Sequence, residues 1–469
     1  MTQRYTNPTA FVVFGGTGSL AKTKLLPALF DLYTRKMLPE SFAIIGLSRK
    51  EFSDEVYQKF VYETVLSKAP MSDEKLLSQF CSRVGFVTGS FTDEELYEKV
   101  KQKLLAFDAS IGQCTSKLFY LAVPPHLYGD IFEKLKQSDA MALCEREGSW
   151  SRLLVEKPFG SDLLTAQKLE AQLCELFTEE QIYRIDHYLA KEAIENIISL
   201  RFANSILSDS WNGNRIESIA LRLFESGDVS TRGSFYDGIG ALRDVGQNHM
   251  LQMLALLTMQ PADVHNAEAM RESRLRAITS LAMHDTDLRI RGQYKGYKES
   301  EGVDPMSETE TYFKLETRID SELWKDVRVT LESGKALAES RTEAVITFRP
   351  LDLCMCAAES EAHKHANVLH VTFSPEQSIH LTMWVKEPGF GFKLHERKLL
   401  LASREGEELY SPEAYERVLY DCIIGDQTRF VSGAEVLAAW DFITPILQSF
   451  KTIPLHVYAK GSNPPLIGK

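Results

Sequence analysis

The chain lacks any apolar run approaching the length that crosses a bilayer, about 20 consecutive residues, so a helical membrane span is excluded. Its first ten residues, Met1 to Ala10, are polar and carry no apolar signal core, which points to a cytoplasmic location. It is short of positive charge: 53 Lys and Arg against 65 Asp and Glu leave a formal charge of -12. No segment supplies the basic stripe that a nucleic-acid backbone requires, so nucleic acid is not an expected partner and any anionic ligand must be met by a local cluster. The seven cysteines are scattered, an odd number that fits a reducing compartment. Cys354 and Cys356 stand close but are too isolated for a zinc site, and His363 and His365 read as accidental surface spacing; no metal is expected. Internal repeats and low-complexity linkers are absent as well.

What the chain does have is enough length for two domains: 469 residues exceed what one hydrophobic core serves. The first begins at once. Phe11 to Phe14 is a short apolar run, followed by Gly15, Gly16, Thr17, Gly18, Ser19, Leu20 and Ala21, then by Leu25, Leu26, Leu29 and Leu32 at helical spacing. This is strand, glycine turn, helix. Gly16, Gly18 and Ala21 fit a dinucleotide fingerprint, whose small residues allow a tight turn, close approach to a pyrophosphate and tight helix-to-strand packing. A second strand, Phe42 to Ser48, ends in Arg49 and Lys50, where an NAD-preferring site presents a carboxylate to the ribose. Two cations there suit a 2′-phosphate, so NADP is the expected coenzyme, with NAD the alternative because arginine also stacks on adenine. Arg35 to Ser41 reads as a long loop absorbing the extra spacing before that strand. Leu118 to Val123 runs into Pro124 and Pro125, and Arg152 to Val155 runs into Glu156, Lys157, Pro158, Phe159 and Gly160. Ligands of open parallel sheets sit beyond the carboxyl ends of the strands, so Pro124, Pro125 and Lys157 are expected along the same crevice as Gly16 and Gly18.

Past about residue 200 the pattern changes to strand-like segments without long intervening helices. Ile216 to Phe224, Glu310 to Thr317, Asp326 to Leu331, Ala344 to Phe348, Val368 to Phe373 and Ser378 to Val385 suggest a large, mainly antiparallel sheet. Helical stretches flank it around Gly240 to Thr258 and Pro412 to Phe430. The boundary is expected near Glu179 to Tyr183, giving an α/β coenzyme domain at 1–180 and a larger α+β substrate-binding and dimerisation domain at 181–469.

Two polar clusters stand out. Residues 184 to 192, Arg-Ile-Asp-His-Tyr-Leu-Ala-Lys-Glu, precede a helix-like pattern from Ala193 to Phe202. If the helix includes them, His187 and Lys191 share one face, with Tyr188 beside them, and the three offer donors to a single anion such as a phosphate. The competing reading is a solvated helix start with Asp186 as N-cap. The second cluster holds Tyr236, Asp237, Arg243, Asp244, Gln247, Asn248 and His249. His249 is either a satisfied core histidine among leucines or, paired with Asp186, a general base whose tautomer the carboxylate fixes.

The chain resembles the glucose-6-phosphate 1-dehydrogenase family over nearly its full length. The likeness rests on Gly-Gly-Thr-Gly-Ser-Leu-Ala-Lys at 15–22, Glu-Lys-Pro-Phe-Gly at 156–160, the nine-residue run at 184–192, Leu-Arg-Phe-Ala-Asn at 200–204 and Gln-Asn-His at 247–249. It continues with Arg-Gly-Gln-Tyr at 291–294, Ser-Gly-Lys at 333–335 and Gly-Asp-Gln-Thr at 425–428. The resemblance implies a Rossmann-like coenzyme domain, a second domain with a large antiparallel sheet, and a homodimer, or dimer of dimers, formed through that sheet. It implies that His249 takes the C1 hydroxyl proton of glucose 6-phosphate as hydride passes to NADP, with Asp186 stabilising the imidazolium. His187, Tyr188 and Lys191 would clamp the phosphate; Lys157, Glu225, Asp237 and Lys335 would contact the sugar phosphate. Gly15, Gly16, Thr17, Gly18, Ser19, Leu20, Arg49, Pro124 and Lys157 would hold the coenzyme. Departures are Ser19 where the family has Asp, expected still to cap the helix; Glu332 where Arg is frequent; Ser340 at a basic position, with Arg341 adjoining as a substitute; and Ser374 in place of Gln. These three later changes motivate a related hexose phosphate as the alternative substrate. A non-catalytic NADP-binding regulator is the third reading.

Overall fold

The computed structural model describes residues 5–71, 73–141, 148–284, 286–351, 365–401 and 410–465. Cys354, Cys356 and His363 lie outside them. The chain divides into two compact units. The first comprises Met1–Lys191, Asp263–Arg271 and Ser411–Leu437; the second comprises Glu192–Ala262, Glu272–Tyr410 and Ala438–Lys469.

In the first unit, strands β1 (Thr9–Phe14), β2 (Phe42–Ser48), β3 (Val84–Thr88), β4 (Ser116–Leu121), β5 (Ser151–Val155) and β6 (Ile182–Ile185) form a parallel sheet in the order β6-β5-β4-β1-β2-β3. Every residue of β1 and of β4 is buried, as expected of strands covered on both faces by crossover helices. Arg35 to Ser41 forms the expected connection, between the end of the helix Leu26–Thr34 and the start of β2 at Phe42. An extra strand, β16 (Phe430–Val431), pairs antiparallel with β6. It arrives with the helix Ala414–Ile424, whose Val418, Leu419, Cys422 and Ile423 join the core formed by Leu25, Leu29 and Tyr57. Sequence pattern placed this late helix beside the second sheet; its apolar face is buried in the first unit instead. Arg152 donates to the carbonyls of Cys422 and Ile423, fastening the returning segment to β5. Cys81, Cys174 and Cys422 are free thiols, whereas Cys114 is disulfide-bonded, a bond that spacing did not indicate.

The second unit is built on β7 (Ile216–Phe224), β8 (Leu281–Ala282), β9 (Arg289–Tyr294), β10 (Tyr312–Ile319), β11 (Arg328–Gly334), β12 (Arg341–Phe348), β13 (Val368–Ser374), β14 (Ser378–Lys386), β15 (Leu394–Leu401) and β17 (Leu455–Tyr458). Nine of them run in the order β15-β14-β13-β12-β7-β11-β10-β9-β17, and β8 pairs with β10. The sheet is mainly antiparallel, as the sequence pattern suggested; among the described residues its parallel strand pairs are β7·β11 and β9·β17. Burial alternates along β13, the mark of a one-faced strand, whereas β15 is exposed over most of its length. The sequence pattern passed over β9, β15 and β17, which lack a clear apolar alternation. Among the described residues no helix is long and apolar enough to cross a membrane.

Candidate active site

Because β1, β2, β4, β5 and β6 are parallel, the segments following them emerge at one edge of the first sheet. Gly15 follows β1, Arg49 follows β2, Pro124 follows β4, Lys157 follows β5 and Asp186 follows β6. The glycine turn is tightly dictated. Gly15 has φ +79°, and a Cβ there would lie 2.3 Å from the Ala122 carbonyl. A Cβ on Gly16 would lie 2.7 Å from Tyr57 Oη and 2.9 Å from Gly46 Cα. Tyr57, buried beneath the loop, donates to the Gly16 carbonyl at 2.9 Å, and the Gly15 and Gly16 amides donate to Leu47 O at 2.9 and 3.0 Å. The turn thus presses against β2, and Thr17, Gly18, Ser19 and Leu20 lead into a π-helical turn, Ala21–Leu25, before the regular helix. Such wide turns are frequent at functional sites. Ser19 is exposed and makes no side-chain capping bond, contrary to expectation: residues 19 and 20 are already helical, so its hydroxyl lies past the capping position. Arg49 is exposed at the end of β2, beside the Lys50 amide held by Ser48 Oγ at 3.1 Å.

Lys157 follows a buried carboxylate. Glu156 accepts from Tyr120 Oη at 2.5 Å and from the Tyr415 hydroxyl, while Tyr128 Oη donates to its carbonyl at 2.8 Å. Burial raises the Glu156 pKa, with the two phenol bonds opposing. The Lys157–Pro158 peptide is cis.

Residues 186 to 191 are not part of a helix. The helix begins at Glu192, and Asp186 to Lys191 form two tight turns, Leu189 N to Asp186 O and Lys191 N to Tyr188 O, both 3.0 Å. The shared helix face expected for His187 and Lys191 is therefore absent, and Asp186 does not cap the helix. Its Oδ1 accepts the Tyr188 amide at 3.0 Å, a local bond that competes with helix formation. The turns still bring the donors together. Lys191 Nζ lies 3.5 Å from the Tyr188 ring centroid, and His187 sits with ring centroids 5.0 Å from Tyr188 and 6.2 Å from Tyr415. Burial lowers the Lys191 pKa, with the Asp186 carboxylate opposing.

In the second unit, β7 and β11 are parallel neighbours, so Glu225 and Lys335 emerge side by side. Lys335 Nζ bonds Glu225 Oε2, lies 3.4 Å from Asp244 Oδ2 and sits over the Tyr236 ring at 5.2 Å. Tyr458 Oη donates to the Lys335 carbonyl at 2.7 Å, fixing the lysine's backbone. Asp237 is already occupied: Oδ1 accepts from Tyr297, Ser307 and Thr309, and Oδ2 accepts from the Asp304 amide at 3.1 Å. Burial alone would raise its pKa, but these bonds outweigh it and hold it low. His249 is buried, 2% exposed, on the π-helical segment Leu242–Met250. That segment starts on Glu310, which accepts the Leu242 amide at 3.1 Å and whose carboxyl burial pushes up to about 6. Gly240, φ +78°, gives it room: a Cβ there would lie 2.3 Å from the carboxylate.

The departures have plain structural accommodations. Glu332 is buried, accepts Tyr312 Oη at 2.7 Å and faces Arg222 at 3.8 Å. Ser340 Oγ bonds the Ser226 amide and hydroxyl, each at 2.9 Å. Arg341, expected as its cationic substitute, is engaged by Glu339 at 3.1 Å and Glu343 at 3.6 Å, because β12 places it among carboxylates. Sequence reasoning missed Tyr57, Tyr415 and Glu310, and it named Asp244 only as a member of the second polar cluster, without the pairing to Lys335. The signal available for Tyr415 was Glu156, a carboxylate ending an apolar strand and thus in need of donors.

A family model described as the NAD binding domain of glucose-6-phosphate dehydrogenase matches residues 12–196, and one for its C-terminal domain matches residues 198–467. The chain belongs to the glucose-6-phosphate dehydrogenase family. The glucose-6-phosphate 1-dehydrogenases of Chlamydia pneumoniae and Bacillus subtilis are each 34% identical to it, covering 94% and 97% of this chain and 90% and 94% of theirs. A solved glucose-6-phosphate dehydrogenase in complex with its substrate glucose-6-phosphate matches with TM-score 0.90 at 31% identity, over 100% of this chain and 97% of that one. A 3-ketoreductase from Actinomadura kijaniata, solved with NADP, shares the fold at TM-score 0.52 and 11% identity.

Proposed function

We propose that this chain oxidises C1 of glucose 6-phosphate to 6-phosphogluconolactone with NADP as hydride acceptor, the first step of the oxidative pentose phosphate pathway. The observation that carries the reading is a family match spanning both units, in a chain that keeps Asp186, His249 and the phosphate donors of the nine-residue run. In this reading His249 accepts the C1 hydroxyl proton and Asp186 balances the imidazolium so formed. His187, Tyr188 and Lys191 hold the phosphate; Lys157, Glu225, Asp237 and Lys335 orient the sugar. The coenzyme, when bound, accepts the hydride from C1. The glycine turn suits a pyrophosphate: Gly16, Gly18 and Ala21 match the dinucleotide fingerprint, and glycine at 15 and 16 lets the loop pack on its neighbouring strands, where a Cβ would strike the Ala122 carbonyl or Gly46 Cα. Thr17, Ser19, Leu20 and Pro124 border it. Arg49 and Lys50 at the end of β2 favour NADP over NAD. No metal is needed for this chemistry, because a hemiacetal carbon requires only a base and a hydride acceptor.

A cytoplasmic homodimer, or dimer of dimers, completes the proposal. Leu399, Leu400 and Leu401, exposed on the outer strand β15, support a second copy as partner. A related hexose phosphate remains the second reading, on the strength of Glu332, Ser340 and Ser374. The test is formation of reduced nicotinamide with each coenzyme against glucose 6-phosphate, other hexose 6-phosphates and free glucose. Highest kcat/KM with glucose 6-phosphate and NADP is expected. Preference for another sugar phosphate would favour the second reading, and no turnover with any would refute both.

A further inference from the structure

We propose that Tyr415 and Glu156 are positioning residues that set the plane of the His187 imidazole; the inference rests on the reading that His187 grips the substrate phosphate. His187 follows β6, within the two tight turns formed by Asp186 to Lys191. The ring has two aromatic neighbours: Tyr188, tilted 59° with centroids 5.0 Å apart, and Tyr415, nearly parallel at 18° and 6.2 Å. Tyr415 comes from the helix Ala414–Ile424, the late segment that returns to the first unit.

Its far end is pinned. The Tyr415 hydroxyl donates to Glu156, whose carboxylate also takes the Tyr120 hydroxyl at 2.5 Å and whose backbone carbonyl takes Tyr128 Oη at 2.8 Å. Glu156 is buried, so its oxygens depend on these phenols and release of one is costly. A nearly parallel ring beside the imidazole, with its far end held in the core, limits the imidazole's rotation without touching the ligand. Glu156 also directly precedes Lys157, so the same anchor orders two ligand-facing residues.

The test is a double-mutant cycle with steady-state kinetics of the full chain. Tyr415→Leu removes plate and pin, and should raise KM for glucose 6-phosphate about two- to tenfold, the scale of one aromatic contact. It should leave kcat within about twofold and KM for the coenzyme unchanged. Tyr415→Phe keeps the plate but loses the pin to Glu156, and should give a smaller rise that still depends on His187. In a His187→Ala background the Tyr415→Leu effect should vanish. An equal rise in that background, or a matching rise in coenzyme KM, would overturn the proposal. Should Tyr415→Leu not fold, Glu156→Gln and Tyr415→Phe carry the same cycle, and no His187-dependent change in either would overturn it. Absence of turnover by the parent chain would instead refute the functional reading beneath it.

Discussion

Replacing Gly16 by alanine tests how the coenzyme turn is built. The new methyl carbon would lie 2.9 Å from Gly46 Cα and 2.7 Å from Tyr57 Oη. Carbon atoms pack at about 3.5–4.0 Å, so loop and strand must separate by about 0.6 Å or more. The tyrosine could swing aside, but Gly46 is backbone in the middle of a buried strand. Overpacking of this kind costs about 1–3 kcal/mol. Displacing the turn also removes at least one amide from a phosphate, a charge-assisted bond contributing about 1.5–3 kcal/mol, or about ten- to hundredfold in affinity. Gly18→Ala differs: its Cβ meets only the Gly15 carbonyl at 3.0 Å, with the next atom 3.9 Å away. Calorimetric titration with NADP and thermal melts of both variants separate the effects. Gly16→Ala should lose affinity and thermal stability together, and adding Tyr57→Phe should recover only part of the stability. Gly18→Ala should melt near the parent. Wild-type affinity and melting in Gly16→Ala would refute the argument that the turn is pressed onto β2.

His249→Asn should lower kcat at least about a hundredfold with KM little changed, as loss of a general base does; an unaltered kcat would remove His249 from the chemistry. Arg49→Ala should weaken NADP selectively, and equal losses for NADP and NAD would contradict its 2′-phosphate role. Glu416 is buried beside Asp31, and burial pushes its carboxyl from 4.5 to about 7. A raised native-state value favours the protonated form in the fold, so its contribution is present below about pH 4.5 and is lost as pH rises through about 7. Glu416→Gln should therefore match the parent in acid and exceed it by about 1–3 kcal/mol at about pH 8; chemical denaturation curves running parallel across that range would contradict this.

Four strands of the coenzyme sheet, β1, β2, β4 and β5, were legible as continuous apolar runs, three of them closed by glycine or proline, and β2 begins and ends where the pattern placed it; β3 and β6 were passed over. Its edge was harder. Nothing in the periodicity of Ala414 to Ile424 tells which sheet its apolar face covers, so Tyr415 stayed invisible as a neighbour of His187. The second sheet was readable where strands alternate, as in β7 and β13, and silent at β15, whose exposed leucines carry no inward face. The nine-residue run was recognisable by composition, but its local shape was misjudged. Helical spacing at Ile194 and Ile197 invited extension backwards, whereas the Asp186 carboxylate's bond to the Tyr188 amide closes a turn first. Glu332 and Arg341 show the same limit in reverse: each reads as a change in charge, and only pairing with Arg222 and Glu343 shows how that charge is absorbed.

In the proposed reaction hydrogen passes directly from C1 of the sugar to the nicotinamide. This transfer is tested by one turnover experiment with glucose 6-phosphate deuterated at C1, followed by mass analysis of the reduced coenzyme. One deuterium retained in reduced NADP is the predicted result. Reduced coenzyme without the label, or no reduced coenzyme at all, would contradict it.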